Sequence, residues 1–166
     1  MRFPDEVRYG NICKGLPVED GSADGAYCSH VLEHLALEDM KLALKNNLRM
    51  LRTGGVFRLV VPDLKVLVQE YVKNTAPDAA EVFVESLGLG RRVRPHGLMG
   101  FLRGWLGNSD HHWMWDFEAM AVELSNAGFT AIRRAVLGDS NDPMFARAEQ
   151  ANRWEGALGI HCRRPN

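Results

Sequence analysis

Ala23-Asp24-Gly25-Ala26-Tyr27-Cys28 and, at once, Ser29-His30-Val31-Leu32-Glu33-His34 open the part of the chain on which its fold turns. The first six residues read as a buried strand. Leu37, Met40, Leu44, Leu48 and Leu51 then recur at spacings of three and four, the inner face of an amphipathic helix. Gly54 and Gly55 are expected to stop that helix by supplying a positive φ. Val56-Phe57-Arg58-Leu59-Val60-Val61 follows as a nearly continuous apolar run, which predicts a strand covered on both faces. Pro62-Asp63 turns the chain into another helix. Strand, helix, strand at this spacing is a right-handed crossover, so the two strands should be parallel.

The whole composition fits one soluble globular domain. The chain has 166 residues, 46% hydrophobic and 25% charged, enough for a real core. A net charge of −1 gives no overall attraction to nucleic acid or to an anionic membrane. No apolar run approaches the ~18–20 residues of a membrane span. The opening Met1-Arg2-Phe3-Pro4-Asp5-Glu6 lacks the apolar core of a signal peptide. Cys13, Cys28 and Cys162 lie in or beside apolar runs without paired spacing, so reduced thiols in a cytoplasmic protein are expected.

Outward from the central stretch, Val7 to Ile12 looks like a short strand leading into Cys13-Lys14-Gly15. After Pro62, Asp63 can cap a helix that carries Leu64, Leu67, Val68, Tyr71 and Val72 on one face. Thr75 to Asp78 breaks it, and Ala79 to Leu87 reads as a further helix. Gly88 to His112 is irregular and basic, with Arg91, Arg92, Arg94, His96 and Arg103 among apolar residues. Asp116 is a plausible cap for a helix over Phe117 to Ser125, ended by Ala127-Gly128. Phe129 to Val136 and Leu158 to Cys162 read as two last strands, with a polar loop and a short helix between them. One domain over 1–166, with an insert at about 73–112, is the expected organisation.

Leu16-Pro17-Val18-Glu19-Asp20-Gly21-Ser22-Ala23-Asp24, then Cys28-Ser29-His30-Val31-Leu32-Glu33-His34-Leu35, then Arg49-Met50-Leu51-Arg52-Thr53-Gly54-Gly55 resemble the second half of a class I S-adenosylmethionine (SAM) methyltransferase. The likeness is to the small, mostly uncharacterised bacterial methyltransferases of type 11, and it extends through Trp113-Met114-Trp115-Asp116 and Asn126-Ala127-Gly128-Phe129. It implies an α/β, Rossmann-like sheet truncated at the N-terminus, with strands 3, 4, 5, 7 and 6 present and a terminal antiparallel hairpin. The family's strand order is 3-2-1-4-5-7-6. The glycine-rich turn after strand 1 and the acid that ends strand 2 have no counterpart here, since even one βαβ unit needs roughly 30 residues. Either the sequence is a fragment of a longer enzyme, or it is a shortened relative with lost or altered activity. In both cases the edge of strand 4 is left open. Strand 3 must then move beside it, or another chain, a second copy in a homodimer for instance, must cover it.

The same resemblance supplies the candidate cofactor residues. Asn11, beside Ile12, matches a position where the family has an acid that accepts from the adenine amino group; an Asx turn explains Asn11 equally well. Ser29 and His30 lie just past the end of strand 4, where ligands of open α/β sheets collect, and would border the methionine end of SAM. His30 and His34, with His111 or His112, could make a zinc site. The spacing is not HExxH, however, and the resemblance already explains the run, so the sequence assigns no metal and leaves Glu33 and His34 as a structural pair. His111 and His112, flanked by Trp113 and Trp115, are candidate general bases or simply part of an aromatic anchor. The expected activity is methyl transfer from SAM to an unidentified small-molecule or glycan acceptor, which the arginines of the insert would favour as acidic or phosphate-bearing. The alternative is a non-catalytic protein that self-associates or binds a partner through the open sheet edge. Nucleic acid and membrane are not expected partners.

Overall fold

The computed structural model describes residues 7–90 and 110–166. Strand β1 (Ala23–Ser29) and strand β2 (Leu51–Pro62) pair in parallel, with Cys28 opposite Leu59 and Ser29 opposite Val60. Helix α1 (Leu37–Met50) connects them, burying Met40, Ala43 and Leu44 and carrying Glu38 and Asp39 in its positive first turn. The helix ends at Met50, ahead of the glycines expected to stop it. Leu51 is already extended and paired with Ala23, so strand pairing, not a glycine exit, terminates α1. Gly54, at φ 71°, instead lies in the bulge that carries the register from Ala23–Leu51 to Gly25–Val56.

Helix α2 (Leu64–Lys73) begins where the Asp63 carboxylate accepts from the Lys65 amide, 2.9 Å away. It leans on α3 (Ala79–Ser86), with Tyr71 and Phe83 stacked at 4.6 Å. Helix α4 (Phe117–Ala127) is capped by Asp116 and closed by Gly128 at φ 106°. Strands β3 (Thr130–Ala135) and β4 (Ala157–Arg163) form an antiparallel hairpin, and β4 also pairs antiparallel with β2. Between them lie α5 (Pro143–Ala148) and a 3-10 turn over Ala151–Arg153. The sheet order is β1-β2-β4-β3, which is the expected order with its first three strands removed.

One expected strand is not formed. Val7 to Ile12 makes only an isolated bridge, Asn11 to Gly15, and pairs with nothing in the sheet. The Ile12 carbonyl is taken by the Asn46 side chain of α1 at 2.8 Å, so this segment packs on a helix and makes no ladder. Strand 3 therefore neither survives nor moves beside β1, which is a sheet edge among the described residues. The arginines of the insert at 91, 92, 94 and 103, and His96, lie outside the described residues.

The two faces of the sheet are built differently. On one, Cys28, Phe57, Leu59, Val61, Leu158, Ile160 and Cys162 join Met40, Leu44, Met120 and Leu124 of α1 and α4 in the main apolar core. Burial pushes the Cys28 thiol up to about 12 and the Cys162 thiol higher still, so both are inert. On the other face, Arg58 is fully buried and bonded to Glu149 and Asp139, with its guanidinium over the rings of Phe145 and Trp154. The segment holding α5 thus closes the face of the sheet opposite α1 and α4.

Candidate functional site at the C-terminal ends of the parallel strands

Where β1 ends, the chain must leave the sheet abruptly, and His30 does so in a left-handed conformation, φ 52°. For a non-glycine residue that conformation costs about 1 kcal/mol or more, and it is held in place by tertiary contacts. The His30 amide donates to the Val60 carbonyl at 2.9 Å, and its Nε2 lies 2.9 Å from the Arg153 carbonyl. Its Nδ1 faces Glu33 Oε1 at 3.3 Å. That carboxylate raises the pKa of the imidazole above its ordinary value, with burial acting in the opposite sense. Beyond His30, residues Leu32–His34 form a 3-10 turn, so Glu33 and His34 precede α1 rather than start it.

Glu33 is fully buried. Among the described residues neither of its carboxylate oxygens has a hydrogen bond of good geometry. Its backbone carbonyl accepts from the amides of His112, at 2.7 Å, and Trp113, at 3.1 Å. Those bonds bring the His-His-Trp-Met-Trp run to the end of β1. His111 stands edge-on to His34 with ring centroids 4.9 Å apart. Trp115 is buried and bridges to Asp63 at the end of β2, while Trp113 stays exposed. Ser29, His30, His111 and His112 are thereby gathered at one end of the sheet.

Asn11 and Ile12 are held elsewhere. The Asn11 carboxamide accepts from the amides of Cys13 and Lys14, the Asx turn that the sequence left open, and Ile12 is tied to Asn46. Asn46 lies nine residues into α1 from Leu37, about 13 Å along a helix that runs back from the strand ends.

For a cofactor, the strand ends offer buried hydroxyls. Among the described residues, Ser29 Oγ and the Tyr27 hydroxyl are buried without a hydrogen-bond partner and line a cavity of about 170 Å³ with Ala148, Gln150 and Arg153. Ligand pockets usually enclose about 300–1,000 Å³. The described residues therefore fit one end of a molecule of the size of SAM and do not enclose it whole. Tyr27 and Arg153, which share this cavity with Ser29, carry no motif and were not legible in the sequence.

Comparison with known proteins bears on this arrangement directly. Residues 2–59 match the model of the methyltransferase domain family, which includes β1, α1 and most of β2. A SAM-dependent methyltransferase from Archaeoglobus fulgidus superposes with TM-score 0.51 at 15% identity, over 95% of this chain and 66% of that one. The fold is that of a class I methyltransferase. A chain solved in the complex with the Haloferax volcanii Trm112 methyltransferase activator gives TM-score 0.51 at 16% identity, over 95% of this chain and 60% of that one. PigF with S-adenosylhomocysteine gives 0.53 at 17% identity, over 93% of this chain and 33% of that one. No curated protein matches in sequence. The chain thus spans between a third and two thirds of the length of these proteins. No helix among the described residues is long and apolar enough to cross a membrane.

Proposed function

We propose that this chain acts as a SAM-dependent methyltransferase, or as a shortened form of one, on a small-molecule or glycan acceptor. The observation that carries this is the end of the parallel pair β1–β2. A left-handed His30 turns the chain there beside the unpartnered Ser29 hydroxyl, at the place where open α/β sheets hold ligands. SAM supplies an electrophilic methyl when bound. The chain's own part is to orient it and, for a hydroxyl acceptor, to remove a proton. His111 and His112, brought to this end by the bonds from the His112 and Trp113 amides to the Glu33 carbonyl, are the proposed candidates for the base. The arginines in the sequence of the insert at about 73–112 would, by their charge, favour an acidic acceptor. Free thiols at Cys13, Cys28 and Cys162 support a cytoplasmic location.

Calorimetric titration with SAM and S-adenosylhomocysteine tests the proposal. A low-micromolar Kd supports it, and no heat at millimolar ligand retires it for this chain. A second reading, a non-catalytic protein that associates with itself or a partner through β1, is favoured by the outer edge of that strand, which no strand among the described residues pairs. Light scattering separates the two: a strict monomer that binds SAM leaves the second reading without support.

A further inference from the structure

We propose that Glu33, His34 and His111 form a binding site for a divalent transition-metal ion of the zinc class. One carboxylate oxygen of Glu33 and one ring nitrogen from each histidine lie within 4.8 Å of one another. A fully buried carboxylate whose two oxygens accept no well-formed hydrogen bond among the described residues is a costly group to leave in a core. A cation between these three side chains would satisfy it.

The surroundings of the two imidazoles suit the same role. His111 Nδ1 is 2.7 Å from the Leu87 carbonyl, and His34 Nδ1 is 3.3 Å from the Asp110 carbonyl. A backbone carbonyl on one ring nitrogen selects the tautomer that leaves the other unprotonated, the outer-shell arrangement typical of metal-bound histidine. His34 Nε2 is 4.0 Å from Glu33 Oε1. Zinc–ligand bonds of about 2.0–2.2 Å set tetrahedral neighbours roughly 3.3–3.5 Å apart, so the site needs to contract by up to about 1.5 Å. Two imidazoles with a carboxylate favour zinc, cobalt or nickel over magnesium or calcium. Three protein ligands leave a fourth position for water or an oxygen of a bound molecule. The inference does not depend on SAM binding. Its competitor is electrostatic: His30, whose Nδ1 is 3.3 Å from Glu33, could itself neutralise the carboxylate when protonated.

The test uses the whole chain, stripped with EDTA and titrated with Zn²⁺ by calorimetry and with Co²⁺ by visible absorption. One equivalent is expected to bind with a Kd of about 1 μM or tighter, with the ligand-field bands of four-coordinate Co²⁺. His111→Ala, at a half-buried loop position, and Glu33→Gln should each weaken binding by roughly 100-fold or more, with folding checked by circular dichroism. Cys13→Ser, which removes the least buried soft donor, should leave binding unchanged. No uptake of either ion by the unaltered chain at about 100 μM overturns the proposal, whatever the variants do. Uptake that survives His111→Ala also overturns it.

Discussion

Arg58 stands in the middle of an apolar strand, and its guanidinium reaches Asp139 at 2.7 Å, Glu149 at 2.6 Å and the Val136 carbonyl at 3.2 Å. The Glu149 side chain is only 1% exposed, so removing its partner would strand a charge. Arg58→Met should cost about 3–5 kcal/mol of unfolding free energy in urea, and adding Glu149→Leu should recover part of that loss. A neutral single variant would show the ion pair to be dispensable. Beside it, burial first, and then the charges of Arg133, Arg58 and Arg163, hold the His161 pKa down at about 4. The folded state therefore prefers the neutral ring, and its contribution is complete above the ordinary 6.5 and lost as the pH falls from there toward 4. For Asp139, burial pushes the pKa up, but hydrogen bonds from Arg133 and Arg58 outweigh it and keep the carboxyl at about 2. Its share is complete above 3.8 and disappears between 3.8 and 2. Unfolding free energies in urea taken from pH 7 to pH 2 should fall in two stages, each on the order of 1–3 kcal/mol. His161→Asn should remove the upper stage alone, and an unchanged upper stage would rule the ring out as its source.

At the scale of elements, the α5 segment depends on a close approach. A methyl group on Gly159 would meet the Trp154 ring and come within 2.6 Å of the Ala135 carbonyl. Gly159→Ala should therefore destabilise by about 1–3 kcal/mol and expose Trp154, read as a red-shifted emission. Unaltered emission and stability would mean that Trp154 does not rest on β4. The helices were legible in the sequence because their signals are local: Asp63 and Asp116 do cap α2 and α4, and Gly128 does close α4. The parallel pair was legible from apolar runs and spacing. Val7 to Ile12 misled because its residues suit a strand, while a strand also needs a neighbour, and pairing is not written locally. The Arg58 clamp was invisible because its acidic partners lie 81 and 91 residues away. Likewise, Glu33 and His34 read as a local pair; only the turn at His30 and the amides of His112 and Trp113 bring His111 to them.

Across the whole molecule, the sheet has one guarded margin and one unguarded one. The hairpin strand β3 borders one side, with Arg133 and Arg134 along it, whereas among the described residues no strand pairs with the outer amides and carbonyls of β1. Hydrogen exchange should find β2 and β4 well protected and the outward-facing amides of β1 fast at low protein concentration. If two copies join there, protection of β1 should rise with concentration in step with the mass from light scattering. Slow exchange at β1 in a monomer would mean that the edge is covered from within the chain. The contrast between the two sheet faces has a further consequence. One side is held by hydrocarbon and the other by a guanidinium gripped between acids and indole, so the two common chemical denaturants should not act on them alike. Guanidinium chloride carries the same head group as Arg58 and competes for the same carboxylates. It should loosen the α5 side before the main core melts, whereas urea should release both together.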